Sequence, residues 1–136
     1  MRLLIISCSK KKRSSLAPCR AIDLYDGPSY MIIRKIIREE NLPRDLDIYI
    51  VSGKYGLIRS DEVIDDYDMT IDDKIVEKTR SREKMSELLD RGYEDVFVNM
   101  GNQYLGHFQH LLADAKKATG RIGQKNALMR KWIINT

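Results

Sequence analysis

The chain has 136 residues, enough for one domain that buries a core without disulfides or metals. Hydrophobic residues make up 43% and charged residues 32%, with few Pro and Gly, which excludes extensive disorder and a fibrous protein. The formal net charge is +4, so the class of partner depends on where the charges lie.

The charges are unevenly distributed. Residues 1–22 hold six Lys and Arg and no acid, residues 115–136 hold six and no acid, and all 20 acidic residues lie between them. If the two ends meet in the fold, they form a positive surface suited to phosphate or nucleic acid. The equally weighted alternative is that basic ends simply balance an acidic middle.

Cysteine usage and the amino end indicate a compartment. Cys8 and Cys19 form neither a CxxC motif nor a zinc-ligand spacing with a histidine, which predicts a reducing environment and no bound metal. The apolar run in residues 1–7 is too short for a signal peptide or a membrane span. We therefore expect a cytoplasmic protein that has no cofactor and does not bind membranes.

Strands and helices are predicted to alternate along the chain. Nearly all-aliphatic residues predict a buried first strand at Arg2–Ser7, and apolar runs predict strands at Leu46–Ser52 and Asp95–Asn99. Helices are predicted over residues 28 to about 40, 71 to about 90, 103–117 and 122–134. This order predicts one α/β domain over residues 1–136, with three layers and a small, mostly parallel central sheet flanked by helices.

The second strand leads into the most informative segment. After Ser52, the chain is expected to continue as a polar loop in which Gly53 and Gly56 frame Lys54 and Tyr55. Ligands usually bind at the carboxyl ends of strands in open α/β sheets. An ammonium and a phenol at this position therefore predict a site.

All three strands end in polar segments rich in small residues, at residues 7–10, 52–55 and 99–102. Carboxyl ends of parallel strands lie at one edge of a sheet, so these segments are expected to converge. Their hydroxyl, backbone N–H and ammonium groups suit an oxyanion, although the spaced glycines of a P-loop are absent. The predicted ligand-binding residues here are Ser7, Cys8, Ser9, Lys10, Ser52, Tyr55, Asn99 and Gly101.

Two interpretations of Cys8 are open. A thiol beside lysines is a candidate nucleophile, but no obvious base accompanies it, which favours a partly buried structural thiol. His107 and His110 are one helical turn apart without an evident third ligand, so no metal site is predicted there. Tyr25 is a further ligand-binding candidate, with core packing as its alternative.

An acidic segment at residues 61–73 contains seven carboxylates. Crowded carboxylates can supply a general acid or base or ligate a divalent metal, and the alternative is a solvated, helix-capping turn. Asp68 is the preferred catalytic carboxylate, with Lys54 as a second catalytic candidate. Asp66 and Tyr67 beside it are predicted to contact ligand.

Four ordered segments carry a resemblance: residues 7–10, 24–27, 52–58 and 66–68. They are similar to the motifs CSK, LYxG, SAKYGL and YD of an uncharacterised domain family. That family in turn resembles, more distantly, the uracil-DNA-glycosylase-like domain of archaeal tRNA-guanine transglycosylase and archaeosine-forming enzymes. The resemblance implies cleavage or exchange at an N-glycosidic bond.

The leading hypothesis is a domain that binds a nucleotide, a modified nucleobase or nucleic acid such as tRNA or DNA. Ser7, Ser9 and Lys10 would hold phosphate. Lys54 and Tyr55 would contact base or sugar, Asp68 would stabilise an oxocarbenium-like centre or activate water, and Asn99 would orient the base. One alternative is a non-enzymatic RNA- or DNA-binding module that uses the basic termini. Another is a metal-dependent phosphohydrolase that uses the aspartates.

Overall fold

The computed structural model describes residues 1–13, 17–67, 78–108 and 110–134. The strands are β1 Arg2–Ser7, β2 Cys19–Arg20, β3 Leu46–Ser52, β4 Gly56–Arg59, β5 Val63–Ile64, β6 Asp95–Asn99 and β7 Lys116–Lys117. The helices are α1 Ala21–Leu24, α2 Pro28–Arg38, α3 Lys78–Leu89, α4 Asn102–Gly106 and α5 Ile122–Ile134. The three predicted strands and the last predicted helix have the expected bounds.

The central sheet has the order β4, β3, β1, β6, β7. β1 pairs in parallel with both β3 and β6, β7 pairs in parallel with β6, and β4 is antiparallel to β3. The predicted α/β class with a mostly parallel sheet is therefore confirmed. A second, two-stranded sheet joins β2 to β5, and no strand was predicted in either of these two segments.

β1 supplies both faces of the core because successive strand side chains point to opposite sides. Leu4 and Ile6 are fully buried on the face covered by α2 and α5, and Leu3 and Ile5 on the face covered by α3. Complete burial of one such side chain stabilises the fold by about 1.5–3 kcal/mol. An aliphatic run without polar alternation thus becomes the central strand of three layers.

The loop predicted after Ser52 is partly wrong, because the chain turns back at once as β4. Residues 53–55 form a three-residue turn, with Ser52 opposite Gly56 in the ladder. Gly56 has φ of +73°, and a Cβ there would lie 3.1 Å from Ser81 Oγ. Glycine is favoured in this left-handed conformation, which completes a common hairpin geometry.

The helix predicted over residues 103–117 is also wrong beyond its first turn. α4 ends at Gly106, and Lys116–Lys117 instead forms the edge strand β7 beside Phe97 and Val98. Phe108 and Leu112 are nevertheless buried in the core. Successive short turns bury apolar residues at nearly the same spacing as a helix does. The spacing of apolar residues therefore predicted their burial correctly and the continuous helix wrongly.

The other helices differ less from prediction. α2 ends at Arg38, about two residues early, with Tyr30, Ile33 and Ile36 buried on one face. The predicted helix 71–90 is helical from Lys78 to Leu89, and its first residues lie outside the described part of the chain. Among the described residues, none of the helices has both the length and the apolar character needed to cross a membrane.

Candidate functional site

The carboxyl ends of β1, β3 and β6 lie at one edge of the sheet because the three strands are parallel. A cavity of about 350 Å³, called the larger cavity, opens at this edge. Hydroxyl, thiol, ammonium, phenol and carboxamide groups contribute to its walls. The lining residues are Ser7, Cys8, Ser9, Lys10, Lys12, Gly53, Tyr67, Gly101, Asn102, Gln103 and Tyr104.

A second cavity of about 220 Å³, called the smaller cavity, adjoins the larger one. Both cavities are lined by Ser7, Cys8, Ser9 and Gly101. The first turns of α2 and α5 and the end of β6 form the remaining walls of the smaller cavity. These residues are Gly27, Pro28, Ser29, Tyr30, Asn99, Met100, Ile122, Lys125 and Asn126.

Cys8 connects the three strand ends in the wall between these cavities. Its Sγ lies 2.9 Å from the Tyr104 hydroxyl and accepts the backbone N–H of Gly53 at 3.3 Å. Burial, followed by the hydrogen bond to Cys8, raises the pKa of Tyr104 above its usual range. The Tyr104 phenol is therefore neutral at physiological pH, and the thiol has a defined position.

The Ser9 hydroxyl joins the loop after β1 to the start of α2. It donates to Lys11 O at 2.6 Å and accepts the backbone N–H groups of Asp26 and Gly27 at 3.2 Å each. Gly27 permits this close approach, since a Cβ there would lie 3.0 Å from Ser9 Cβ. The hydroxyl predicted to bind phosphate thus already has three protein partners.

Three hydroxyl groups form a cluster behind the larger cavity. Tyr25 Oη lies 2.9 Å from Ser52 Oγ and 2.6 Å from Tyr67 Oη, and Ser52 Oγ lies 3.2 Å from Tyr67 Oη. Tyr25 and Ser52 are completely buried, whereas Tyr67 reaches the cavity wall. Tyr25 and Ser52, both predicted to bind ligand, therefore support a residue that lines the cavity.

Two lysines flank the ring of Tyr67. Lys12 Nζ lies 4.4 Å from the ring centroid, and Lys54 Nζ lies 5.7 Å from it. Each cation–π contact of this kind stabilises by about 0.5–1 kcal/mol at exposed sites. Tyr55 packs edge-on against the same ring at 5.7 Å. Tyr67 therefore holds the wall through its ring as well as through its hydroxyl.

Burial, then the neighbouring Cys8, raises the pKa of Tyr67 to about 12 from its usual 10.0. The folded chain therefore keeps this proton at a pH where the unfolded chain loses it. This contribution to stability is complete below pH 10 and is lost as the pH rises towards 12.

We expect the free energy of unfolding to fall above about pH 10 in the wild type and to fall less steeply in Tyr67→Phe. Urea unfolding at a series of pH values measures both slopes. Part of the decline should remain in the variant, because burial also raises the pKa of Tyr25 and Tyr30. If the free energy of unfolding fell equally steeply with pH in wild type and variant, the raised pKa of Tyr67 would be contradicted.

The remaining predicted residues lie beside or beyond the cavities. Lys54 and Tyr55 are not in the lining of the larger cavity, and the Tyr55 hydroxyl is held by the backbone of Asp65 at 3.2 Å. The Asp66 carboxylate is exposed and accepts the backbone N–H of Tyr67 at 2.8 Å. Asp68, the predicted catalytic carboxylate, lies outside the described residues.

Asn99 lines the smaller cavity instead of the larger one. Its Nδ2 donates to Asn126 Oδ1 at 3.1 Å and contacts Met129 Sδ at 3.4 Å. Within the described residues, no cluster of three or more His, Cys, Asp and Glu side chains suits a metal ion. The aspartates at positions 68, 72 and 73 fall outside that part of the chain.

Several residues that line the larger cavity were not among the predicted ligand contacts. Lys12 is one of them, and its ammonium lies 4.4 Å from the centroid of the Tyr67 ring. Asn102, Gln103 and Tyr104 belong to α4, directly after the third strand end. The third polar segment already reached Asn102, and extending it by two residues into α4 would have included Gln103 and Tyr104.

A family comparison covers nearly the whole chain. Residues 3–129 match the model of a family of unknown function. No curated protein and no solved structure gives a significant match. The match agrees with the predicted relationship to an uncharacterised domain family and assigns no reaction. The chain therefore belongs to the family of unknown function DUF6884.

Proposed function

We propose that the larger cavity binds a nucleotide or a nucleobase-containing ligand. The observation that carries this proposal is the lining itself: Lys10 and Lys12 contribute to it, and no Asp or Glu is among the described residues that line it. Its volume of about 350 Å³ falls within the roughly 300–1,000 Å³ of small-molecule sites. A cavity with ammonium groups and no carboxylate favours an anionic ligand.

The other polar groups suit the edge of a nucleobase. Asn102 and Gln103 each offer a carboxamide that both donates and accepts hydrogen bonds. With this combination of one donor and one acceptor, Asn and Gln side chains recognise base edges in nucleic-acid complexes. The neutral phenols of Tyr67 and Tyr104 add donors beside apolar ring surface. A heterocycle with carbonyl and ring-nitrogen groups matches this lining better than a purely aliphatic acid.

The proposed reaction is cleavage or exchange at the N-glycosidic bond, in keeping with the resemblance to uracil-DNA-glycosylase-like domains. In hydrolysis the bond from C1′ to the base nitrogen breaks, a bond from C1′ to a water oxygen forms, and the base leaves with a proton. A carboxylate would stabilise the oxocarbenium-like centre or activate the water. Asp68 has that role in the proposal. The proposed compartment is the cytoplasm, because both cysteines are free thiols and a reducing environment preserves them.

Filling the larger cavity tests binding directly. Gly101 lines both cavities, and a Cβ there would meet nothing within 4 Å, so Gly101→Leu should fold and obstruct the site. We expect calorimetry to show affinity for nucleosides and nucleotides weakened by about tenfold or more. Gly106→Leu is the matched control, since Gly106 is equally open and lines neither cavity. Equal affinities in the two variants would refute the location of the site.

Turnover tests the enzymatic part separately. Purified protein incubated with nucleosides, nucleotides, tRNA or DNA should release or exchange a base. Asp68→Ala should abolish that turnover while binding remains measurable. Binding without turnover in the wild type would leave a binding module and exclude the glycosidic reaction for the substrates tested.

Nucleic-acid binding is a second candidate function. Lys10 and Lys12, from the basic amino end, line the larger cavity, and Lys125, from the basic carboxyl end, lines the adjoining smaller one. Charges from both ends thus face the same edge of the sheet. In this alternative, affinity for RNA or DNA falls steeply with salt and on charge reversal at Lys125, Arg130 and Lys131, and survives Asp68→Ala.

A further inference from the structure

The two cavities are neighbouring compartments with a common wall. Ser7, Cys8, Ser9 and Gly101 belong to both linings, so a ligand in one compartment lies next to the other. Together their volumes of about 350 and 220 Å³ remain within the roughly 300–1,000 Å³ of small-molecule sites. One ligand can therefore occupy both compartments with two chemically different parts.

The smaller cavity is equipped for an anion. Lys125 lines it, and among the described residues this ammonium makes no ion pair with a carboxylate. The Ser29 hydroxyl lies in the same lining, and no Asp or Glu is found among the described residues that form it. A cation without a counter-ion beside a hydroxyl donor gives a favourable environment for a phosphate group.

Asn126 adds a donor that no group among the described residues uses. Its side chain is more than nine-tenths buried, and its Oδ1 accepts the Nδ2 group of Asn99 at 3.1 Å. Within the described part of the chain, Asn126 Nδ2 has no hydrogen-bonded acceptor, and no fully buried polar side-chain atom lacks a partner. The Nδ2 group is therefore not fully buried, and Asn126 lines the smaller cavity.

The lysines of the larger cavity are placed differently. Lys12 Nζ packs against the Tyr67 ring at 4.4 Å and donates to Lys10 O at 3.5 Å. Lys10 is exposed at the rim. The carboxamides that share the larger cavity with them, Asn102 and Gln103, are exposed, whereas Lys125 shares the smaller cavity with the buried Asn126.

We infer that the ligand is a nucleoside monophosphate whose phosphate binds in the smaller cavity, at Lys125, Asn126 and Ser29, while its base occupies the larger cavity. The inference rests on the proposed function and moves the phosphate from Lys10 to Lys125. Phosphate offers three acceptor oxygens, which matches the ammonium, carboxamide and hydroxyl donors of this compartment.

Calorimetric titration with a nucleoside and its 5′-monophosphate provides the test. We expect the monophosphate to bind the wild type about tenfold more tightly than the nucleoside. In Lys125→Gln this ratio should fall to about one, whereas in Lys10→Gln it should persist. Lys35→Gln, an exposed change on α2 that lines neither cavity, should leave both affinities unchanged. Thermal melts check that each variant is folded.

The contrary outcomes separate the inference from the proposed function. Nucleoside binding with no gain from phosphate, or a ratio lost in Lys10→Gln and kept in Lys125→Gln, would overturn the inference alone. Failure of both ligands to bind would overturn the proposed function with it. Stronger binding of a single-stranded oligonucleotide than of any mononucleotide would assign Lys125 to nucleic-acid binding instead.

Discussion

Replacing Trp132 with Ala should lower the free energy of unfolding by about 3–5 kcal/mol, the usual cost of truncating a buried aromatic. The indole is stacked on Phe97, with ring centroids 5.2 Å apart, and the Arg2 guanidinium lies 4.7 Å from its ring. Its Nε1–H donates to Asp95 Oδ2 at 3.2 Å. One side chain thus attaches α5 to β1 and β6. Its loss leaves a cavity and removes one of two donors to the Asp95 carboxylate, which keeps Lys116 Nζ at 3.2 Å.

Urea unfolding of Trp132→Ala beside Trp132→Phe separates these contributions. The Phe variant keeps an aromatic ring against Phe97 but loses the hydrogen bond to Asp95. Its free energy of unfolding should therefore be lower by about 1–2 kcal/mol. Because α5 carries Lys125 and Asn126, the Ala variant should also reduce the preference for a nucleotide over a nucleoside under folding conditions. A loss below about 1 kcal/mol for Trp132→Ala would mean that α5 is held by other contacts.

The central strands could be predicted because burial on both faces leaves a simple pattern. β1 has no polar residue between Leu3 and Ile6, and only a strand covered by helices on both sides accommodates such a run. The parallel arrangement followed from the intervening helices, and it brought residues 7–10 and 99–102 to the same edge. The order of strands and helices in the sequence was therefore enough to predict the sheet edge at which the candidate site lies.

Edge elements could not be predicted, because their position depends on tertiary pairing. β7 is two lysines long, and nothing in Lys116–Lys117 distinguishes it from the end of a helix. The β3–β4 hairpin did carry a signal, since Gly56 follows Ser52 at the spacing of a three-residue turn. No strand was predicted for the apolar residues Leu57 and Ile58 that follow it, and they lie in β4.

Within the site, it was easier to predict which residues take part than to predict which way their side chains point. Tyr25 was a ligand-binding candidate with core packing as its alternative, and it is completely buried, with its hydroxyl 2.6 Å from Tyr67 Oη. Asn99 was expected to orient the base and belongs to the smaller cavity, because its side chain faces α5. Alternation along a strand fixes the face of each side chain only when the register of the whole sheet is known.

Ser52→Ala should destabilise the protein by about 2–3 kcal/mol, although it removes a single oxygen atom. Ser52 is completely buried, and its Oγ accepts the backbone N–H groups of Lys54 and Tyr55 at 3.3 and 3.1 Å. It also contacts the hydroxyls of Tyr25 and Tyr67. The two tyrosines can still bond to each other at 2.6 Å, but the two amides lose their acceptor.

The same substitution should weaken binding in the larger cavity, because the turn after β3 and the Tyr67 wall share this hydroxyl. Urea unfolding and calorimetric titration with a nucleoside measure the two effects on one preparation. Ser60→Ala is the matched control, since the half-buried Ser60 hydroxyl makes no hydrogen bond to the described residues. If Ser52→Ala and Ser60→Ala were equally mild, the hydroxyl cluster would not support the wall. A stability loss without any change in affinity would show that the cluster stabilises the fold alone.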